Sequence, residues 1–318
     1  MIKTRVQEIL GIDYPIVQGG LAHVGYSDLA AAVSQAGGFG QITAMSLATP
    51  EDLRKEIRST KEKTAKPFGV NFALGHREPW PFLEVALEEG IAAISVSGGN
   101  PEPIFRFVEE AGVKKLVLVA GKRQAEKAEA IGADMVIAVG QEGGGHLGKD
   151  DTGTIVLVPV IARAVKIPVL ASGGIVDGAG LVAALALGAE GIEMGTRFVA
   201  TKESLAHLRY KEALVNFSEL DTEVIERSIG RPARALKSPW VEKILELEKK
   251  GVSLEEILPY ISGEINAKAA IVGELEDGFA WAGQGIGLIT DIPSVNELLE
   301  RIMSEAKETI ALISRGYR

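Results

Sequence analysis

Residues 135–174, MVIAVGQEGGGHLGKDDTGTIVLVPVIARAVKIPVLASGG, contain two short β-rich runs, MVIAVGQ (135–141) and PVLASGG (168–174), separated by a glycine loop and a longer stretch. Both runs are continuously apolar rather than alternating, as strands are when both faces of a parallel sheet are covered. Working outward, the same rhythm holds from Tyr14 to Thr196, through PIVQGG (15–20), FGQITA (39–44), FGVNFAL (68–74), IAAISVSG (91–98), KLVLVAG (115–121) and GIEMGT (191–196). The intervening segments, such as SDLAAAVSQAGG, PEDLRKEIRSTKEK and KRQAEKAEAIGAD, are rich in helix formers. Several open on Ser or Asp and close on Gly. About eight βα repeats close a barrel, so the prediction is an α/β fold, a (β/α)8 TIM barrel. The competing doubly wound sheet would carry G-x-G-x-x-G after its first strand, and QGGLAHVG does not fit that spacing. GQGIG at 283–287 comes too late in the chain to serve.

After this region the rhythm changes. Residues 203–276 read as a small helical subdomain with no buried strand, which leaves 1–202 and 277–318 to the barrel. The chain ends in a helix-like stretch that Ser294 and Glu297 open at capping-box spacing.

Composition excludes several classes. The 318 residues are 46% hydrophobic and 24% charged, with a formal net charge of −9, 37 Gly and no Cys. Such a chain can bury a full core. Without Cys there is no disulfide, thiolate nucleophile or Cys-ligated metal, so redox chemistry must come from a bound cofactor. The acidic balance repels a phosphate backbone, so no nucleic acid is expected as a partner. The most apolar tract, Ile155 to Ala171, is broken by Arg163 and Lys166. No uninterrupted run approaches the ~18–20 residues that span a bilayer, so no membrane association is expected. The N-terminus does not read as a signal peptide, and a soluble cytoplasmic protein is the expectation.

Barrel chemistry sits at the C-terminal ends of the strands. Glycine dominates those ends here. Any one of these glycines reads most simply as a tight turn. Clustered after the seventh and eighth strands, Gly173, Gly174, Gly195 and Thr196 read as a phosphate cradle. His146 stands among glycines directly after the sixth strand, with few neighbours to pack against, and is the candidate catalytic residue. His23 is evenly balanced between a functional and a structural role. His76 and His207 read as surface or subdomain residues, and no spacing suggests a metal site. Asn71 interrupts an apolar run in GVNFAL, where its amide could meet the polar edge of a flavin or hydrogen-bond its own turn. Lys122 reads equally as a solvated helix start or a phosphate ligand.

Taken together, QGG (18–20), AAAVSQAGGFG, PFGVN, GQEGGGHLG, ASGGIVDG, GTRF and AGQGIGLI resemble the nitronate monooxygenase (2-nitropropane dioxygenase) family of FMN-dependent barrel enzymes. That family includes flavin-dependent enoyl-acyl-carrier-protein reductases and some NADH:quinone reductases. The resemblance runs in order along nearly the whole chain. It implies an FMN barrel whose small domain lies over the flavin, with NAD(P)H as co-substrate in the reductase members and a homodimer as a family-level expectation. It further implies that Gln18, Gly19, Gly20 and Asn71 contact the ring, that Gly144 and Gly145 flank it, and that Gln284 closes the site. Gly173, Gly174, Gly195 and Thr196 would hold the phosphate, and His146 matches the family's catalytic histidine. The expected activity is nitronate oxidation with dioxygen. The alternative is reduction of an enoyl thioester or a quinone, and Leu118 stands where quinone-reducing members carry lysine. A different class, a non-catalytic barrel that binds a phosphate ligand, would carry no flavin. The basic residues Arg227, Arg231, Arg234, Lys237 and Lys243 read individually as a solvated helix face with a turn at Gly230–Pro232. As a group they could receive nucleotide phosphates or an acidic carrier protein.

Overall fold

In the computed structural model, which describes residues 3–75 and 77–316, all eight apolar runs become strands of one sheet. The strands are β1 (Ile16–Gln18), β2 (Gly40–Thr43), β3 (Phe68–Ala73), β4 (Ala93–Ser97), β5 (Lys114–Val119) and β6 (Met135–Val139), followed by a two-residue β7 (Gly145–His146) inside the glycine loop. Then come β8 (Val169–Ser172), β9 (Gly191–Met194), β10 (Thr222–Ile225) and β11 (Ala233–Leu236). The barrel order is β1-β9-β8-β6-β5-β4-β3-β2, with parallel pairing throughout. The ends meet at a parallel bridge between Val17 and Phe39, where Gln18 N donates to Phe39 O at 2.9 Å. The fold is therefore a (β/α)8 TIM barrel.

Continuous apolarity follows from burial on both faces. Inside, Val17, Phe39, Leu116, Met135, Ile137 and Leu170 form one cluster with Val6 and Leu10 of α1 (Arg5–Leu10), a helix that plugs the N-terminal foot of the barrel. Outside, the strands pack against α2 (Ser27–Gln35), α3 (Pro50–Lys63), α4 (Trp80–Glu88), α5 (Glu102–Phe107), α6 (Lys122–Ala130), α7 (Thr154–Ala162) and α8 (Gly178–Ala186). Helix α3 spans the PEDLRKEIRSTKEK stretch because Thr49 caps it, accepting from Asp52 N at 3.1 Å, and Pro50 fills a first position that needs no N–H.

Beyond β9 come α9 (Thr196–Val199), α10 (Leu208–Asn216), α11 (Pro239–Lys249), α12 (Leu254–Ile257), α13 (Gly263–Ala267) and α14 (Val295–Arg315). The segment 203–276 is mostly helical, and the sequence reading finds no buried strand in it. It also carries β10 and the fully buried β11, which join β7 in a three-stranded antiparallel sheet of order β10-β11-β7. The residues of β11, ARAL, favour a helix by propensity. Pairing on both edges and burial override that preference, as tertiary context commonly does. Since β7 belongs to the loop after β6, this pairing ties the segment to the C-terminal rim of the barrel. Helix α14 opens on the expected capping box: Ser294 N donates to Glu297 Oε2 at 2.7 Å and Glu297 N donates to Ser294 Oγ at 3.3 Å. Ser294 N and Ser294 Oγ, which both donate to the carboxylate, and then Lys202 pull the exposed Glu297 carboxyl down to about 2. Among the described residues, no helix is long and apolar enough to cross a membrane.

Candidate active site

A cleft enclosing about 1240 Å³ of empty space, its open mouth included, lies at the C-terminal rim. Its walls come from the glycine-rich strand ends. After β8, Gly173 and Gly174 take φ of +102° and +74°, the left-handed region that side chains rarely adopt. Glu142 pins the start of α7 beside them: its carboxylate accepts from Thr154 N at 2.9 Å and Thr154 Oγ1 at 2.8 Å. After β9, Gly195 and Thr196 open α9, whose first amides have no acceptor within the helix. All four predicted cradle residues line the cleft. The Thr196 hydroxyl accepts from Gly283 N at 3.0 Å, which holds the returning segment in place.

On the floor, Gly19, Gly20 and Asn71 line the cleft as expected. Asn71 is buried, and its Nδ2 donates to Ser95 Oγ at 2.8 Å. Gln18 does not line the cleft. Its amide is committed to the closing seam, donating to Gln41 O at 2.8 Å and accepting from Gln41 N at 3.2 Å. Glu193 of β9 faces the cleft instead, 4% exposed, with Oε1 lacking any hydrogen-bond partner. Burial pushes its carboxyl up to about 7, opposed by a hydrogen bond from Ser172. Leu118 and Val139 make this floor apolar.

At the mouth, β7 carries His146 in register with Ala233 of β11. The His146 side chain remains 66% exposed, its Nε2 lies 3.8 Å from Glu226 Oε2, and its ring centroid is 5.6 Å from that of Trp281. The surrounding protein mass, and then the charge of Arg231, hold its pKa below the usual histidine value. Glu226 is buried and pushed up to about 7, with Arg231 opposing the shift and Glu248 adding to it. Gly144 and Gly145 flank His146 along the cleft. A Cβ on Gly144 would stand 2.6 Å from Gly283 N, and one on Gly283 would stand 2.6 Å from Glu142 O, so the two loops touch through bare backbone. Gln284 fixes the same contact through its backbone N–H, donating to Glu142 O at 2.9 Å, while Gly283 and Gly285 rather than Gln284 line the cleft.

The other candidates fall elsewhere. His23 has φ +65° and lies against Gly263 outside the cleft lining. His207 caps α10, accepting from Arg209 N at 3.2 Å. His76 lies outside the described residues. Lys122 is exposed at the start of α6, 3.6 Å from Glu126. The basic stretch is a turn, a strand and a helix rather than one helix face. Arg227 pairs with Asp151 at 2.9 Å, buried Arg234 donates to Gln141 O, and Lys243 lies over the Trp240 and Tyr260 rings. Among the described residues, no cluster of His, Cys, Asp or Glu could hold a metal, and no Lys or Arg lines the cleft.

The sequence reading missed Glu142, Glu193, Glu226 and Trp281. Glu193 carried the signal that had singled out Asn71, a polar residue inside an apolar strand. Nothing local marks Glu226 or Trp281.

The family model described as "Nitronate monooxygenase" matches residues 3–305. A probable nitronate monooxygenase of Staphylococcus saprophyticus is 32% identical, covering 96% of this chain and 98% of that protein. The solved structure of FabK from Thermotoga maritima is 42% identical, with a TM-score of 0.93 and 100% of both chains covered. A nitroalkane oxidase from Streptomyces ansochromogenes is 28% identical, with a TM-score of 0.84, covering 96% of this chain and 99% of that one.

Proposed function

The chain belongs to the nitronate monooxygenase family of oxidoreductases, and from that premise we propose that it is an FMN-dependent reductase of enoyl thioesters that draws electrons from NADH or NADPH. The observation that carries this reading is the charge of the cleft. Its lining holds Glu142 and Glu193 and, among the described residues, no Lys or Arg. An alkyl nitronate is a small anion, and the one basic side chain that lines the cleft among the described residues is His146, whose pKa burial and then Arg231 hold below the usual value, whereas an enoyl thioester is neutral at its reacting end. The full-length similarity to FabK, an enoyl-acyl-carrier-protein reductase, supports the same choice.

The residues present fit FMN. The unpartnered Oε1 of Glu193 and the amide of Asn71 offer donors and acceptors to the polar edge of the ring, above the apolar Leu118 and Val139. Gly173, Gly174, Gly195 and Thr196 would hold the phosphate through main-chain N–H groups. When bound, FMN would supply two-electron transfer between the nicotinamide and the substrate. His146 would then stand at the mouth, orient the thioester and support the proton step that completes reduction. Trp281 would wall that face from solvent.

Oxidation of nitronates is the second reading, favoured by the name of the Staphylococcus relative. Anaerobic mixing of the purified protein separates the two. Rapid bleaching of the flavin by NADH or NADPH, reversed by crotonyl-CoA, is the expected result. Bleaching by an alkyl nitronate but by neither pyridine nucleotide would overturn the proposal, and a colourless protein that releases no flavin on denaturation would point to the non-catalytic class.

A further inference from the structure

Glu226 combines two unfavourable placements. Its φ of +64° lies in the left-handed region, where a residue with a Cβ is strained, and its carboxyl side chain is only 5% exposed. Such a conformation persists only where its surroundings impose it. Here Glu248 of α11 does so with both oxygens, Oε2 accepting from Glu226 N at 3.0 Å and Oε1 from Ser228 N at 2.8 Å. Arg231 N then closes the turn onto Glu226 O at 3.0 Å. The consequence is local: the Glu226 carboxyl is carried to 3.8 Å from His146 Nε2. The charged groups facing it are His146 from β7, Arg231 from the turn and Glu248 from α11, and the uncharged Trp281 ring backs the histidine.

We propose that Glu226 is the electrostatic partner and positioning residue of His146, the carboxyl lying 3.8 Å from the imidazole and titrating with it as a pair at the mouth of the cleft. Interacting groups this close titrate as a pair. In the reduction, which rests on the reductase reading above, the pyridine nucleotide supplies the two electrons. An N–H bond at His146 breaks as a C–H bond forms on the substrate carbon beside the carbonyl. The pair then regains its proton from water at the exposed face of the ring. The pairing itself does not depend on which substrate is used.

The test is an NMR titration of the histidine rings in the full-length protein, with His146→Ala to assign the signal. Loss of the carboxylate in Glu226→Gln removes the charge that favours imidazolium, so the His146 midpoint should fall by about one pH unit. Glu226→Gly removes the carboxyl while relieving the left-handed backbone, so it should fold at least as well and show the same fall. A parallel pH profile of crotonyl-CoA reduction should show its alkaline limb moving to lower pH in Glu226→Gln. An unchanged His146 midpoint in both folded variants overturns the proposal. A shifted midpoint in a protein that never reduces crotonyl-CoA upholds the pair and overturns the reductase reading instead.

Discussion

Around Gly173, Gly174, Gly195 and Thr196 the cleft is made of main chain, whereas around His146 and Trp281 it is made of side chains from separate segments, with Glu226 3.8 Å from the imidazole. The first group sits at consecutive strand ends of the barrel, so closing the barrel is enough to assemble it. The second exists only because β11 pairs with β7 and because Trp281 meets Ala235 across an isolated bridge. The backbone half is therefore sensitive to added volume, and the side-chain half to lost charge.

Glu193, between the two halves, gives the largest expected effect. An acid whose folded pKa, about 7, exceeds its unfolded value binds its proton more tightly in the folded protein. Its contribution therefore destabilises the fold as pH rises from about 4.5 to about 7, by on the order of 3 kcal/mol. Urea unfolding at both ends of that range should show this loss in the wild type and a flatter profile in Glu193→Gln. Equal slopes would mean that the carboxyl is solvated through the cleft.

In the side-chain half, His146→Ala should lower turnover at least ~100-fold while leaving bound flavin and melting temperature nearly unchanged. Near-normal steady-state rates would remove the histidine from the chemistry.

The backbone half is probed by paired glycine substitutions. Gly144→Ala forces a Cβ to 2.6 Å from Gly283 N and should cost about 2 kcal/mol, whereas at Gly195 the nearest atom to a Cβ is Leu21 Cδ2 at 3.4 Å. Gly195→Ala should therefore keep its melting temperature but bind FMN more weakly, as read by fluorescence quenching. If both variants lose stability alike, the distinction between loop packing and cradle fails. The smallest effect lies far from the cleft. Ser294→Ala removes the α14 cap and should cost about 1 kcal/mol without altering flavin affinity, which would separate general destabilisation from damage to the site.

These contrasts track what could be read in advance. Each of the eight barrel strands lies within or beside its apolar run, because burial on both faces leaves a local, continuous signature. That Gly173, Gly174, Gly195, Thr196 and His146 line one cleft was legible because strand ends share one rim of the barrel and the loops there are sequence-local. Gln18 belongs to the same motifs, yet its side chain turns to structural bonds at the seam. Side-chain direction at a strand end depends on its neighbour across the sheet. The strand β11 was missed because its Ala-Arg-Ala-Leu residues carry a helical preference that only its partners reverse.

The sequence by itself determined the barrel, its glycine-built rim and the position of one histidine, since each follows from periodicity or from residues close together in the chain. The tertiary structure alone decided what faces that histidine and what lies on the floor. The burial and strain of Glu226, the unpartnered oxygen of Glu193 and the absence of Lys or Arg from the cleft lining among the described residues arise from contacts between distant segments. Electrostatics in a partly buried site depends on those distances and on desolvation, neither of which is a local property of the chain.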